Sequence, residues 1–188
     1  ENALLKFTPV VSEKIKSMIK KNYIFFHLKK KILDELGWGI KDLKLLFNKF
    51  LEHAEYVYIT KDIEVDEYNK ILKKNFSSYD FISDKFIENS SKVIFFDNIE
   101  GSNLYNIIKY SKKTIAFHGM MTNLASIEQK PVLDLFYIKL KSLQNYKYWR
   151  NSFYEFKPNY FNYDFIIPNK NIHKTIRKIN FSLKKINK

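Results

Sequence analysis

The residues of this chain best suited to chemistry gather in two short runs. One is His118-Gly119-Met120-Met121-Thr122-Asn123, which follows the apolar run Thr114-Ile-Ala-Phe117. The other is His27-Leu28-Lys29-Lys30-Lys31, which closes the apolar run Tyr23-Ile-Phe-Phe26. In the first, polar residues fall where a strand ends and a helix begins. In an open α/β sheet that junction faces the ligand crevice. The N–H groups of a first helical turn lack partners within the helix and favour an anion. Gly119 suits a sharp strand-to-helix turn because glycine tolerates positive φ. Phosphate binding is the chemistry this combination suggests. Neither G-x-G-x-x-G nor G-x-x-x-x-G-K-[ST] occurs, so it is not a dinucleotide fingerprint or a P-loop.

Each of these residues also has a plainer role. His27 and His118 can be polar residues that close strands, and Lys29–Lys31 can be a solvated charge run. Met120 and Met121 are expected to pack beneath the turn. Asn123, in the first helical turn, can serve capping. Leu124, Ala125 and Ile127 read as core, with the small Ala125 allowing close approach of helix to sheet. His53 lies at the end of a helix, where a cation is favourable, and His173 reads as surface. Asp62 and Glu64 follow the second apolar strand and are candidates to accept from ribose hydroxyls or the base. No D-x-D motif is present and cysteine is absent, so neither a metal site nor a disulfide is expected.

The elements that must position these residues alternate along the chain. Residues 1–22 read as an amphipathic lead-in helix, with Val11, Ile15 and Ile19 at helical spacing. Strands are expected at 23–28, 55–60, 92–96, 114–117 and 132–136, with a sixth short one at 164–167. Helices are expected at 42–53, 65–76, 102–111 and 122–129, and a basic one closes the chain within 169–188. Residues 139–163, rich in Tyr, Phe and Asn, are the least regular stretch and read as a loop. Short apolar strands each followed by a helix argue for a Rossmann-like parallel α/β sheet of five to six strands, with helices on both faces. If it is wound in the order 3-2-1-4-5, strands one and four are neighbours. His27 and His118 then close the two strands that flank the crevice.

The 188 residues fit one domain, here residues 23–168, and the chain begins with Glu1, as a piece of a longer protein can. The formal charge is +13. The lysine-rich bias that produces it reports on solubility and non-specific attraction rather than on fold. Arginine occurs only at Arg150 and Arg177, whereas nucleic-acid readers rely on it for bidentate contacts. A specific nucleic-acid partner is therefore not expected. Peripheral attraction to an anionic membrane face fits the charge as well as a phosphorylated ligand does. A chain without cysteine suits a reducing compartment, so a cytoplasmic location is expected, with the inner face of the membrane as its possible station.

The segment His118–Phe136 resembles the donor-site segment of GT-B glycosyltransferases, nearest the lipopolysaccharide heptosyltransferase group, whose D-T-G-x-x-H-x-A-x-x-x-x-x-P pattern aligns with it without a gap. Ala125 and Pro131 match. His27-Leu-Lys-Lys-Lys with Gly37-Trp38-Gly39 is similar to that group's H-P-G…K-x-W segment. Two departures stand out: His118-Gly119-Met120 replaces Asp-Thr-Gly, and Asn123 replaces the later His. The resemblance implies the donor-binding C-terminal half of a two-domain enzyme, with the acceptor site and catalytic base on a separate N-terminal domain. It implies metal-independent transfer from a nucleotide-diphosphate sugar, without a cofactor, in bacterial surface polysaccharide or lipopolysaccharide synthesis. His27, Lys29, Lys30, Lys31, Asp62, Glu64, His118, Gly119, Met120, Thr122 and Asn123 would form the donor site. The returning segment with Tyr146, Tyr148, Trp149, Arg150 and Tyr154 would either reach towards the partner domain or form a small satellite core of its own. A non-catalytic nucleotide-binding domain and a sugar-nucleotide epimerase of the same architecture are the alternatives.

Overall fold

The computed structural model describes residues 13–62, 66–89, 91–99, 101–137 and 143–186. Most of the lead-in segment and Glu64 lie outside these residues.

The order of elements is α1 (Glu13–Ile19), β1 (Tyr23–Leu28), α2 (Lys30–Leu36), α3 (Ile40–Leu51), β2 (Tyr56–Lys61), α4 (Asp66–Asn75), β3 (Ser77–Asp80) and β4 (Lys85–Ile87). There follow β5 (Val93–Asp97), α5 (Gly101–Tyr110), β6 (Lys113–Phe117), α6 (Met120–Ile127), β7 (Val132–Leu135), α7 (Leu143–Phe156), β8 (Tyr163–Ile166) and α8 (Ile172–Lys185). The strands form one sheet in the order β4-β3-β5-β2-β1-β6-β7-β8. Every neighbouring pair is parallel except β3 with β4. The expected run 3-2-1-4-5 is therefore present as β5-β2-β1-β6-β7, and the sixth strand follows it as β8.

Every residue of β1 is buried, because a central parallel strand is covered on both faces. Alternation divides the core accordingly. Ile24, Phe26, Ile59, Ile115, Phe117 and Leu133 turn to one face, where α2, α3, α4 and α8 cover them. Tyr23, Phe25, Tyr58, Ala116 and Val132 turn to the other, under α1, α5 and α6. Helix α8 belongs to this core: Ile172, Ile179 and Leu183 are buried in the first cluster. Its N-cap, Asn171, accepts from the backbone N–H groups of His173 and Lys174.

Four expectations are corrected. Among the described residues the sheet has eight strands rather than five to six, because β3 and β4 form an added edge hairpin. The run Ser77-Ser-Tyr-Asp80 carries one apolar residue, Tyr79, so its sequence does not read as a strand. Residues Leu143–Phe156 are helical where a loop was expected. Phe153 fixes that helix by stacking on Phe136 at 3.7 Å, while the side chains of Tyr146 and Trp149 lie outside the described residues. Ile127 is exposed rather than core, and Met120 projects outward at 64% exposure, because Met121 takes the inward position at the helix start.

Candidate functional site

The carboxyl ends of β2, β1, β6 and β7 lie side by side, so the loops that leave them share one edge of the sheet. His27 pairs in register with Thr60 on one side and Ala116 on the other. It lies two residues beyond Phe25 and so points to the α1, α5 and α6 face. His118 and Asp134 follow the same alternation on their strands, since Ala116 pairs with Asp134. The two histidines thus reach the same face from adjacent strands.

Their surroundings differ. His27 is buried, and both ring nitrogens are engaged, Nδ1 with Thr60 Oγ1 at 2.9 Å and Nε2 with Asp62 Oδ1 at 3.0 Å. It orders the ends of β1 and β2 and holds Asp62, whose side chain stays partly exposed. His118 is 38% exposed, and its Nδ1 turns back to Asp134 Oδ2 at 2.6 Å. Asp134 is fully buried in β7, and the same oxygen accepts from the Tyr163 hydroxyl at 2.7 Å. Burial and the adjoining carboxylate push the Tyr163 phenol well above its ordinary pKa, which keeps it a donor. The His118 ring stands edge-on to Phe136 and Phe153, at interplanar angles of 77° and 88°.

Gly119 forms the turn. Its φ of 152° and ψ of −152° lie in a region open to glycine alone. Its N–H donates to Thr122 Oγ1 at 3.2 Å, and the hydroxyl donates back to the Gly119 carbonyl at 2.8 Å. Thr122 is buried, so it serves the turn rather than the crevice. Asn123 is exposed one residue further on, and its N–H returns to the Gly119 carbonyl.

The lysine run divides into three. Lys29 Nζ crosses to the His118 carbonyl at 2.6 Å. Lys30 pairs with Asp34 and lies over the Tyr68 ring at 5.3 Å. Lys31 is exposed on α2. One of the three, Lys29, therefore stands at the strand-one and strand-four junction. Gly37, at φ 71°, ends α2 and turns the chain so that the indole N–H of Trp38 reaches the carbonyls of Asn169 and Lys170.

Sequence reading missed Thr60, Asp134 and Tyr163. Asp134 left a trace, as the one charged residue within the buried strand Val-Leu-Asp-Leu. Further along the same edge, Lys73 bonds Asp97 at 2.7 Å while Asn69 and Asn98 donate to Asp97 and Asp80, and the Asn69 side-chain oxygen is buried without a partner. Among the described residues no cluster of three His, Asp or Glu could hold a metal ion. No described helix is long and apolar enough to cross a membrane.

No protein-family profile and no curated protein matches the sequence. Solved structures match in fold. Escherichia coli ADP-heptose lipopolysaccharide heptosyltransferase II is similar with a TM-score of 0.59 and 11% identity over 94% of this chain and 52% of that one. A Listeria monocytogenes protein described as a UDP-N-acetylglucosamine 2-epimerase is similar with a TM-score of 0.52 and 10% identity, over 93% of this chain and 40% of that one. The chain thus shares a Rossmann-like α/β fold with part of each of these two structures. It spans about half or less of the length of the structures it matches.

Proposed function

We propose that the chain is the donor-binding half of a nucleotide-sugar-dependent glycosyltransferase of GT-B type. The observation that carries the reading is the convergence of Lys29, His118 and the Gly119 turn at the carboxyl ends of β1 and β6. A departing nucleoside diphosphate gains negative charge, and fixed donors stabilise it better than mobile water does. Lys29, the first amides of α6 and the outward nitrogen of His118 are such donors. Asp62, oriented by His27, is placed to accept from hydroxyls of a ribose or sugar. The base that activates an acceptor would come from a partner domain outside this chain. A lysine-rich surface would also favour approach to an anionic membrane carrying the acceptor.

The epimerase reading keeps support from the fold shared with the Listeria protein. Thermal-shift and calorimetric titration against UDP, ADP, GDP and CMP, and then their sugar conjugates, tests the donor site. Binding of one diphosphate series with micromolar affinity is the expected result, and binding of none would overturn it. A sugar-nucleotide product formed without an acceptor would favour the epimerase.

A further inference from the structure

We propose that Asp134 is the positioning residue of this site: through it, His118 is held with Nε2 directed to a phosphate of the bound ligand. The proposal rests on the donor-site reading above.

Asp134 is out of place by the ordinary rules of a core. It is fully buried in a strand that is otherwise Val, Leu and Leu. Its Oδ2 takes both hydrogen bonds, from His118 and from Tyr163, while its buried Oδ1 has no partner. A half-satisfied buried carboxylate stabilises a fold less well than an apolar residue of the same volume. Asp134 is therefore better accounted for by what it holds than by stability.

What it holds is one nitrogen of one ring. Tyr163, kept protonated by burial, donates to Oδ2, and the arrangement in which the carboxylate accepts twice places a proton on His118 Nδ1. The two atoms stand 2.6 Å apart, within hydrogen-bond distance. Phe136 and Phe153 stand against the ring and oppose its rotation. Nε2 lies on the far side of a ring that is 38% exposed, one residue before the turn that starts α6. When Nε2 takes up a second proton as an anionic ligand binds, the ring donates to Asp134 on one side and to a phosphate oxygen on the other. His27 cannot act this way, because both of its nitrogens are already engaged.

Two variants of the full chain test this. In one, Asp134→Leu is combined with Tyr163→Phe, an all-apolar replacement; in the other, Asp134→Asn keeps the shape and removes the charge. Nitrogen-15 NMR of the imidazole reads which His118 nitrogen carries the proton, and calorimetry with inorganic pyrophosphate reads affinity. In the wild type a proton on Nδ1 is expected. The double variant should unfold at an equal or higher denaturant concentration, lose the Nδ1–H signature and bind pyrophosphate roughly tenfold to a hundredfold more weakly. Asp134→Asn should weaken binding in the same direction, and it decides the question if the double variant does not fold. Wild-type affinity in either folded variant, or a wild-type His118 protonated on Nε2 alone, overturns the positioning role and leaves the donor site standing. A wild type that binds neither pyrophosphate nor any nucleoside diphosphate overturns the donor site itself, and the positioning role with it.

Discussion

Lys29 Nζ, just past the end of β1, donates to the carbonyl oxygen of His118, just past the end of β6, over 2.6 Å. The bond ties together the two strands from which the chain departs in opposite directions. It uses one of the three ammonium donors and leaves the others for a ligand. A positive charge is thereby fixed beside the Gly119 turn rather than left on a mobile stem.

Replacing Lys29 by Met should lower affinity for a nucleoside diphosphate roughly tenfold to a hundredfold, since a charge-assisted hydrogen bond is worth about 1.5–3 kcal/mol. The salt dependence of binding should flatten as well. Lys31→Ala, on the exposed side of α2, should change neither quantity. The triple change of Lys170, Lys174 and Lys178 to Ala removes more charge and serves as the distant control. Calorimetric titration at low and high salt compares them.

Gly119→Val should both destabilise the fold and abolish pyrophosphate binding. A Cβ at this position would stand 2.7 Å from Lys29 Nζ, and the ammonium can swing away. The backbone cannot, because φ is 152°, and a valine held there costs about 1–3 kcal/mol. Gly39→Ala is the comparison, since φ there is −91° and the nearest neighbour of its Cβ is Asp42 Oδ2 at 4.0 Å. Denaturant midpoints should fall for Gly119→Val and hold for Gly39→Ala.

Thr60→Val should act on stability before function. Thr60 is 2% exposed and its hydroxyl meets His27 Nδ1 at 2.9 Å. Valine fills the same volume and leaves the buried nitrogen without a partner, at a cost of about 1–3 kcal/mol. Urea unfolding should show a lowered midpoint at unchanged slope, and Thr60→Ser should restore most of the loss.

Lys113 predicts a pH dependence. It is fully buried at the start of β6, and its Nζ donates to the Leu183 carbonyl at 2.9 Å. Burial, with help from Lys112, lowers its pKa from 10.5 to about 8. Between those values the unfolded chain binds the proton that the folded chain has released, so stability rises with pH across the window. Buried tyrosines work the other way above pH 10, because Tyr23 and Tyr58 keep their protons in the fold after the unfolded chain has lost them. Denaturation between pH 7 and pH 10 should therefore show a rising slope in the wild type, and Lys113→Met should remove it.

The main architecture was legible because parallel strands covered on both faces print as near-continuous apolar runs. Tyr23–Leu28, Val93–Asp97 and Val132–Leu135 announce themselves in this way, and the polar residues that end β1 and β6 mark the crevice edge. The edge hairpin was not legible, since Ser77-Ser-Tyr-Asp80 owes its strand to pairing with β5 rather than to its own pattern. Nor was α7, which was expected as a loop and whose place depends on Phe153 meeting Phe136. The same division runs through the candidate site. Residue types and spacing placed His27, His118, Gly119 and the lysines at the junction. Only the tertiary structure separated Lys29 from Lys30 and Lys31, closed both nitrogens of His27, and set Asp134 and Tyr163 behind His118. Those choices rest on contacts between residues far apart in the chain, where a difference of an ångström decides which polar atom finds a partner and which is left for a ligand.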